Sequence, residues 1–382
     1  MNAATPVQGR RHRWAGAWFA GLWVLLVLWV FDRYAYEIED FNSRVRVFLT
    51  TGSTSLRSFD ESGLPTSHSA RSGAHFVSPF YVVHYGLIYS ESDGVGGQRQ
   101  GFHWRADSST ELWNVPPSRT SIEYFRNCAD WVVDRLRFEH GRAHLVYDFD
   151  WSYPNYPGGL LEAPWWSGLT DGFAIVLLLR AYDVFADSRY RDAAVQLYES
   201  VLAPVAEGGS LIRLDDDPWI EEYVDPRVDP ARMSFVLNGM IYATYGVDAF
   251  ERYFERESRI APALYESIAA HLGDFDLGAW SYYDRIGTPA NMKYHRIHVA
   301  LLGDLFEITG DQRFESRADQ WQTGVEHPGW FWVRYGGFSV SKLQFLLMLA
   351  IAAGTGPMIL VWLRRQRTEQ GSADRPTTAA VR

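Results

Sequence analysis

The sequence predicts a mainly α-helical protein, an α/α toroid with a few β-hairpins that is flanked by two transmembrane helices. Three observations lead to this fold class: apolar residues recur at helical spacing, two long uncharged runs stand near the ends, and one loop-to-helix motif occurs twice. The predicted segments are a cytoplasmic N-terminus (1–13), a transmembrane helix (14–31), a linker or cleft loop (32–77), the toroid domain (78–330), a second transmembrane helix (344–363) and a cytoplasmic tail (364–382).

The first apolar run, from Trp14 to Phe31, holds 18 residues without a charge. A helix of that length nearly spans the hydrocarbon core of a bilayer. Three arginines precede the run, so the positive-inside rule places the N-terminus in the cytoplasm. A cleaved signal peptide is the alternative, but no small-residue cleavage site follows the run. We therefore expect an uncleaved anchor.

The second apolar run, from Gln344 to Leu363, also lacks ionised side chains and ends in a cluster of arginines. Residues 354–357 read Gly-Thr-Gly-Pro and weaken the helix, although membrane helices tolerate glycine and proline. Two crossings return the chain to the cytoplasm. The domain between them then lies in the periplasm, the extracellular space or an organelle lumen, and the polar tail after Arg367 is expected to be disordered.

The interior of the chain carries the helical pattern. Residues 190–202 place apolar side chains three and one positions apart, the spacing of a helix with one buried stripe. The motif of Asp187 and Arg189 recurs as Asp311 and Arg313, each time in a short loop before an amphipathic helix. Helical hairpins with strand-like interruptions and an aromatic content of 15% are typical of an α/α toroid with a sugar-polymer cleft.

Composition excludes several classes of function. The formal net charge is −10, and no long basic run is present to neutralise a nucleic acid. The single cysteine, Cys128, rules out an intrachain disulfide and a multi-cysteine metal site. His295 and His298 stand three apart, as metal ligands on one helix face can, but no acidic third ligand is nearby. We expect no metal and no cofactor.

Three clusters hold the candidate chemistry. The stretch from Tyr282 to His298 combines tyrosines with Arg285, Lys293 and Arg296, which favours binding of carboxylated or sulfated sugars, although a solvated loop has the same composition. Glu221, Glu222 and Tyr223 place carboxylates beside a phenol. The third cluster offers Glu162 and Asp171 as the acid and base of a glycosidase, and Trp165 and Trp166 as a sugar platform or as core.

Four stretches, in this order, resemble the D-glucuronyl C5-epimerases, which convert glucuronate to iduronate within heparan-type polysaccharides such as heparosan. They are FVSPFYVVHYGLIYS, PWWSGLTDGFAIVLLLRAY, SFVLNGMIYATYG and YDRIGTPANMKYHRIH. The likeness extends over roughly residues 63–325 and implies an α/α-toroid catalytic domain. Inversion at C5 removes a proton α to a carboxylate and returns one to the opposite face, so two acid/base groups must flank the sugar.

The resemblance implies the following roles. Tyr223 and Tyr294 are candidate acid/base groups, Tyr283 is a third catalytic phenol, and Glu222 is the carboxylate partner of Tyr223. Candidate substrate-binding residues are Arg285, Asn291, Lys293, Arg296, His298, Trp165 and Trp166. The cations are expected to lower the pKa of a phenol and to stabilise the enolate dianion.

Two alternatives remain open. A polysaccharide lyase or glycoside hydrolase can use a similar cleft on the same scaffold, and a non-catalytic glycan-binding component of an export machine would also keep aromatic and cationic residues. The expected partners are an anionic polysaccharide and the membrane bilayer, with no nucleic acid. A homodimer is left open.

Overall fold

The computed structural model of the chain describes residues 7–52, 57–68, 75–90 and 121–373. Helices dominate these residues, which confirms the mainly helical prediction. The α-helices are α1 (Val7–Arg33), α2 (Ala35–Thr51), α3 (Pro79–Tyr89), α4 (Ile122–Arg135), α5 (Gly168–Phe185), α6 (Ser188–Leu202), α7 (Leu237–Tyr253), α8 (Ala261–His271), α9 (Met292–Thr309), α10 (Gln312–Glu326), α11 (Pro328–Tyr335) and α12 (Val340–Ala373).

Eight of the described helices form four packed pairs, and the pairs stand side by side. Within the pairs, α3 packs on α4, α5 on α6, α7 on α8, and α9 on α10. The first helices of the pairs are also neighbours in the order α3, α5, α7, α9. This row of hairpins matches the predicted helical array, and its first helices form a continuous inner layer.

The repeated motif sits at equivalent positions in two of these pairs. The carboxylate of Asp187 accepts a hydrogen bond from the backbone N–H of Arg189 at 2.9 Å and caps α6. Asp311 and Arg313 make the same 2.9 Å contact at the start of α10. An aspartate at the N-cap satisfies a backbone donor that lacks a partner within the helix, so the repeat marks where each second helix begins.

The inner helices α5 and α7 approach each other through glycines. A Cβ atom on Gly172 would lie 2.7 Å from the Cα of Ala243, and one on Gly246 would overlap the backbone of Gly172. Residues 168–179 of α5 are all buried, as expected for a helix packed on several sides. Side chains at these glycines would therefore push the two helices apart.

Short strands connect the helical pairs on the side that holds the polar clusters. They are β1 (Arg57–Phe59), β2 (Pro65–His68), β3 (His75–Phe76), β4 (Leu136–Glu139), β5 (Arg142–Tyr147), β6 (Trp151–Ser152), β7 (Leu160–Leu161), β8 (Trp165–Trp166), β9 (Leu211–Leu214) and β10 (Asp217–Ile220). Antiparallel sheets form from β1–β2–β3, β4–β5–β8, β6–β7 and β9–β10. Asp215 and Asp216, both with positive φ, make the turn between β9 and β10. Turn residues with positive φ are often aspartates, which explains why acidic residues stand in a row here.

The two long apolar helices α1 and α12 pack against each other. The indole N–H of Trp23 donates to the carbonyl of Ala352 at 2.9 Å, and a Cβ on Gly356 would overlap the Trp23 ring. Both helices are long and apolar enough to cross a membrane. Helix α12 continues through Pro357 and on to Ala373, beyond the predicted start of the tail at 364. Residues 1–6 and 374–382 lie outside the described residues.

The predicted linker, residues 32–77, contains more regular structure than expected. Helix α2 occupies Ala35–Thr51, and strands β1, β2 and β3 follow it. The reason is a stripe of apolar side chains at helical spacing in α2, which the reading of this stretch as a loop overlooked. Residues 53–56 and 69–74 of the predicted Ser/Thr-rich loop lie outside the described residues.

Replacing Gly246 with alanine should lower the thermal unfolding midpoint of the full chain, because the new methyl group would overlap the backbone of α5. Overpacking of this kind costs about 1–3 kcal/mol. Gly303→Ala is the matched control: Gly303 also lies inside an inner helix, and a Cβ there would meet no atom within 4 Å. Equal midpoints for the two variants would contradict the close packing of α5 and α7.

Candidate active site

Four tyrosines from separate parts of the chain meet near one end of the inner helices. Tyr153 follows β6, Tyr223 follows β10, Tyr283 lies in the loop before α9, and Tyr294 is in the first turn of α9. With Tyr147, Tyr156 and Trp165 they belong to one aromatic cluster. We call Tyr153, Tyr223, Tyr283 and Tyr294 the phenol cluster. It unites the three tyrosines that the sequence put forward as catalytic.

Hydrogen bonds and ring contacts link the members of the phenol cluster to each other and to Asp284. The hydroxyls of Tyr223 and Tyr283 lie 2.9 Å apart and share a hydrogen bond. The ring centroids of Tyr283 and Tyr294 are 4.7 Å apart. The hydroxyl of Tyr153 donates a short hydrogen bond to the carboxylate of Asp284, whose side chain is fully buried. A proton can therefore pass directly between Tyr223 and Tyr283, and between Tyr153 and Asp284, without an intervening water.

Backbone pairing places Tyr223 in the cluster. Val224 pairs with Trp166 of β8 through two hydrogen bonds of 3.0 and 3.2 Å. The buried carboxylate of Glu221 accepts hydrogen bonds from the hydroxyl of Ser234 at 2.6 Å and from the N–H of Phe235 at 2.9 Å. These contacts fix residues 221–224 between β8 and the start of α7.

Glu222 lies against a glycine of α7. A Cβ atom on Gly239 would be 2.6 Å from the Cβ of Glu222 and would overlap its Oε2 atom. The Glu222 side chain is 6% exposed, and its Oε2 atom accepts no hydrogen bond from the described residues. The missing side chain at Gly239 thus makes the space in which this carboxyl group is buried beside Tyr223 and Tyr283.

Burial raises the pKa values of the carboxyl and phenol groups on this side of the site. Loss of solvation raises the pKa of Glu222 to about 8, with further upward contributions from Glu221 and Asp284, and raises the pKa of Glu221 to about 7. Burial and the charge of Glu222 raise the pKa values of Tyr223 and Tyr283 well above 10. Among these groups the carboxyl of Glu222 gives up its proton far more readily than the phenols.

Two cationic side chains, Lys293 and Arg57, form a cationic group near Tyr294. The ammonium of Lys293 lies 5.7 Å from the centre of the Tyr294 ring, and the guanidinium of Arg57 lies 3.4 Å from the centre of the Tyr81 ring. Burial and the charge of Arg57 lower the pKa of Lys293 to about 8. Burial lowers the pKa of His84 to about 3, with smaller contributions from Arg57 and Lys293, so His84 is neutral at pH 7.

Tyr294 therefore stands between the two charge environments. Burial and the carboxyl of Glu222 raise the pKa of Tyr294 above its usual value, and Arg57 and a hydrogen bond from Tyr283 offset this rise only in part. The expectation that cations bring the pKa of a phenol below its usual value is therefore wrong for Tyr294. For Tyr223 and Tyr283, the neighbouring charge that raises the pKa most is that of Glu222. Of the three candidate catalytic phenols, Tyr294 is the one whose phenolate is stabilised by a neighbouring cation.

The two tryptophans of β8 face opposite ways, as successive residues of a strand must. Trp165 stacks on Tyr147 with ring centres 3.9 Å apart and lies 5.9 Å from the ring of Tyr223, so it walls the phenol cluster. Trp166 stacks on buried His144 and donates to the carbonyl of Gly209, away from the phenols. The structure brings only Trp165 to the candidate site.

Two of the predicted substrate-binding arginines have partners elsewhere. Arg285 pairs with Asp274 at 3.1 Å and with Asp215 at 3.5 Å. The guanidinium of Arg296 lies 4.7 Å from the centre of the ring of Tyr36, a residue of α2. The structure places Lys293, but neither of these arginines, beside the phenol cluster.

Asn291 and the two histidines support the helix that carries Lys293 and Tyr294. Asn291 caps α9 by accepting a hydrogen bond from the N–H of Tyr294 at 2.9 Å. His295 and His298 are fully buried and share the hydroxyl of Ser281, at 3.0 and 2.9 Å. Burial lowers the pKa of both histidines, to about 4 and about 3. Their contacts hold the loop before α9 against the helix.

The proposed glycosidase pair is not assembled by the described contacts. Asp171 is buried and binds the imidazole of His144 at 2.8 Å and the N–H of Leu145 at 3.0 Å. Glu162 is 63% exposed and pairs with Arg227. Asp171 is thus hydrogen-bonded inside the domain, whereas Glu162 lies on the surface.

One group of described residues has the spacing of metal ligands. Oxygen or nitrogen atoms of Asp215, His271 and Asp274 lie within 4.8 Å of one another. The guanidinium of Arg285 contacts both aspartates and supplies positive charge there. The arrangement is therefore explained as an ion-pair network between the turn that joins β9 to β10 and the residues at the end of α8.

Sequence reasoning missed Tyr153, Asp284, Arg57 and His84 as members of the site. Tyr153 and Asp284 are 131 residues apart and meet only through the fold. The one sequence signal for Asp284 was its position directly after Tyr283. Arg57 lies in a stretch that reads as linker, and the pattern around His84 is that of an apolar helix.

The raised pKa of Glu222 predicts a specific pH dependence of stability. A carboxyl whose folded-state pKa is about 8 stabilises the fold fully below about 4.5 and loses that contribution as the pH rises through 8. Glu222→Gln removes the titration while keeping a neutral side chain. The free energy of unfolding of the variant should therefore rise relative to that of the parent between pH 5 and 8.5, by an amount on the order of 1 kcal/mol or more. Denaturant unfolding at several pH values measures this difference. Parallel pH profiles would contradict the burial of Glu222.

Comparison with known proteins is consistent with this geometry. A curated D-glucuronyl C5-epimerase of Caenorhabditis elegans is 27% identical over 223 residues, which cover 52% of this chain and 34% of the relative. An uncharacterized protein of Methanocaldococcus jannaschii is 29% identical over 188 residues, which cover 47% of this chain and 57% of the relative. The chain thus spans about half or less of the length of these two relatives.

A family model described as the D-glucuronyl C5-epimerase C-terminus matches residues 140–323. This segment contains Tyr153, Tyr223, Tyr283 and Tyr294, with Glu222 and Lys293, but leaves out the residues Arg57 and His84. The match and the Caenorhabditis relative agree on one family. Residues 140–323 of the chain are therefore similar to the C-terminal part of the D-glucuronyl C5-epimerases.

Proposed function

We propose that the protein is a membrane-anchored C5-epimerase that converts D-glucuronate to L-iduronate residues within an exported polysaccharide. The observation that carries the proposal is the phenol cluster, in which three tyrosines lie between buried carboxyl groups and a cationic group. An enzyme that moves a proton from one face of a sugar to the other needs two proton carriers in different electrostatic environments. The similarity of residues 140–323 to the D-glucuronyl C5-epimerases supports the same reaction class.

In the proposed first step, Tyr294 acts as phenolate and takes the C5 proton. The C5–H bond breaks, its electron pair moves into the substrate carboxylate, and an enolate dianion forms. Arg57 and Lys293 stabilise both the phenolate and the dianion, because opposite charges interact strongly in a site that excludes water. The substrate carboxylate is therefore proposed to lie toward these two cations.

In the second step, the enolate takes a proton at C5 from the opposite face. The donor is the hydroxyl of Tyr223 or Tyr283, and their shared hydrogen bond lets either replace the proton of the other. The carboxyl of Glu222 lies beside both phenols and is far more acidic than they are, so it resupplies the phenol that has lost a proton. Exchange with solvent returns both sides to their starting states. The reverse reaction uses the same groups in exchanged roles.

The architecture supports a polymeric substrate outside the cytoplasm. We infer that the row of helical hairpins is an α/α toroid whose inner layer carries the site. We also infer that α1 and α12 cross the membrane with both termini in the cytoplasm, since arginines flank the outer ends of both apolar runs. This arrangement leaves the domain on the side where exported polysaccharides are found.

An isotope experiment separates the candidate reaction classes. A glucuronate polymer incubated with the protein in heavy water should acquire deuterium at C5 without chain shortening. A hydrolase would create reducing ends, a lyase would create unsaturated uronate, and a binding protein would leave the polymer unchanged. Tyr223→Phe, Tyr283→Phe and Tyr294→Phe should each lower the exchange rate roughly 10²-fold or more, because each removes a proton carrier while keeping the ring.

Tyr253→Phe is the matched control for these variants. Its hydroxyl contacts Asp183, far along α7 from the phenol cluster, so the exchange rate should stay near that of the parent. Full exchange in all three cluster variants would remove the site assignment. Absence of exchange on every uronate polymer tried would count against the epimerase.

The role of Lys293 can be tested by comparing it with Arg296, a predicted substrate-binding residue whose guanidinium lies on Tyr36 instead. Lys293→Gln should raise the KM for a uronate polymer about tenfold or more, because a buried charged partner of the carboxylate is lost. Arg296→Gln makes the same chemical change in a side chain that stacks on Tyr36, and it should change KM little. Similar effects of the two substitutions would contradict the proposed orientation of the substrate.

A further inference from the structure

We propose that helix α2 lies flat in the boundary between lipid headgroups and acyl chains, with Phe41, Val45, Phe48 and Leu49 in contact with lipid. Helix α2 would then seat the catalytic domain on the bilayer that holds α1 and α12. The inference rests on the proposed membrane anchoring. It adds a lipid-binding surface that lies outside both predicted spans.

The surface is an apolar stripe along one face of α2. Phe41 is 61% exposed, Phe48 is 53% exposed and Leu49 is 76% exposed. Together with exposed Val45 they follow spacings of four, three and one residues, which places them on one side of a helix. A contiguous exposed apolar stripe of this kind marks a surface that contacts another phase or partner.

The opposite face of α2 is already occupied by the rest of the chain. Ala35 is fully buried and Val47 is nearly so. Arg46 donates a hydrogen bond to the hydroxyl of Ser341 at 2.8 Å, and the ring of Tyr36 lies under the guanidinium of Arg296. Because the domain and α12 cover this side, the apolar stripe faces away from the protein.

The contacts of α2 show that it turns away from the direction of α1. The rings of Phe31 and Phe345 are 5.4 Å apart, and Arg46 contacts Ser341. A straight helix would carry residue 46 about 22 Å past residue 31, whereas residues 345 and 341 are about 6 Å apart along α12. The chain therefore bends near Tyr34, and α2 lies across the start of α12, where the apolar run of that helix begins.

Other exposed aromatic residues lie near the end of α1 and the start of α12, the regions that adjoin α2. Trp330 of α11 is 62% exposed, and its backbone N–H donates to the carboxylate of Asp32, where α1 ends, at 2.7 Å. Phe338, just before α12, is 86% exposed. Aromatic side chains are enriched at the interface between lipid and water. The continuity of this surface with the exposed faces of α1 and α12 identifies the bilayer as the occupant.

The charge of α2 indicates how the helix binds. Three acidic and two basic side chains give it a net charge of −1. An interfacial helix that relies on anionic lipids is instead rich in lysine and arginine. Binding should therefore come from burial of the apolar stripe, and it should persist in zwitterionic lipid and at high salt.

Site-specific fluorescence tests the proposal on the full chain. Cys128 is buried and unreactive, because burial raises the pKa of its thiol, so an introduced cysteine can be labelled alone. Three variants each receive an environment-sensitive dye: Leu49→Cys in α2, Leu25→Cys in α1 and Glu257→Cys in the loop between α7 and α8. The proteins are reconstituted into phosphatidylcholine vesicles that contain lipids with a spin label at a shallow or a deep acyl position.

We expect shallow spin labels to quench the dye at residue 49 at least about twofold more than the dye at residue 257, since interfacial helices lie about 5–10 Å deep. Deep spin labels should quench the dye at residue 25. Quenching at residue 25 but not at residue 49 would overturn the seating of α2 and leave the anchors intact. Quenching at neither residue would overturn both the seating of α2 and the membrane anchoring by α1 and α12.

A second copy of the chain is the remaining occupant that the experiment must exclude. A dye at residue 49 that is shielded from water but not quenched by lipid would indicate a protein contact, and this result would also overturn the proposal. If the lipid contact is real, quenching at residue 49 should not change when the protein is diluted tenfold in lipid.

Discussion

The close contact between Glu222 and Gly239 sets the geometry on which the candidate site depends. Only a residue without a side chain at position 239 lets α7 approach the segment that carries Glu222 and Tyr223. The same helix is held near α5 by Gly172 and Gly246. Small residues at these positions let the inner helices and the polar segments pack closely enough to bury a carboxyl beside two phenols.

This packing produces a site with two different electrical environments a few ångströms apart. Carboxyl groups with raised pKa values surround Tyr223 and Tyr283, and cations adjoin Tyr294. Neither environment would survive in open water, where solvation would restore ordinary pKa values and screen the charges. The aromatic rings that enclose the site therefore control its chemistry, as well as filling space.

Periodicity and a repeated local motif predicted the helical character and the paired helices, whereas only the resemblance to the epimerases predicted that Tyr223, Tyr283 and Tyr294 meet. The sequence could not show which of two adjacent tryptophans faces the site, since this depends on how β8 pairs with its neighbours. It also could not show that Arg285 pairs with Asp215, on the turn between β9 and β10, and with Asp274, just after α8. Arg57 joins Lys293 only because the β1–β2 hairpin folds back onto α3, a contact without a local signal.

The pairing of α1 with α12 has a consequence for how the protein is made. About 300 residues separate Arg33 from Val340, so the first of these helices is synthesised long before its partner. Until α12 arrives, the carbonyl of Ala352, which Trp23 binds, and the ring of Phe345, which packs on Phe31, are missing. The hairpins between them can fold in sequence during synthesis, each on the one before. Assembly is then completed by the last helix, which joins the two ends of the folded domain at a single place.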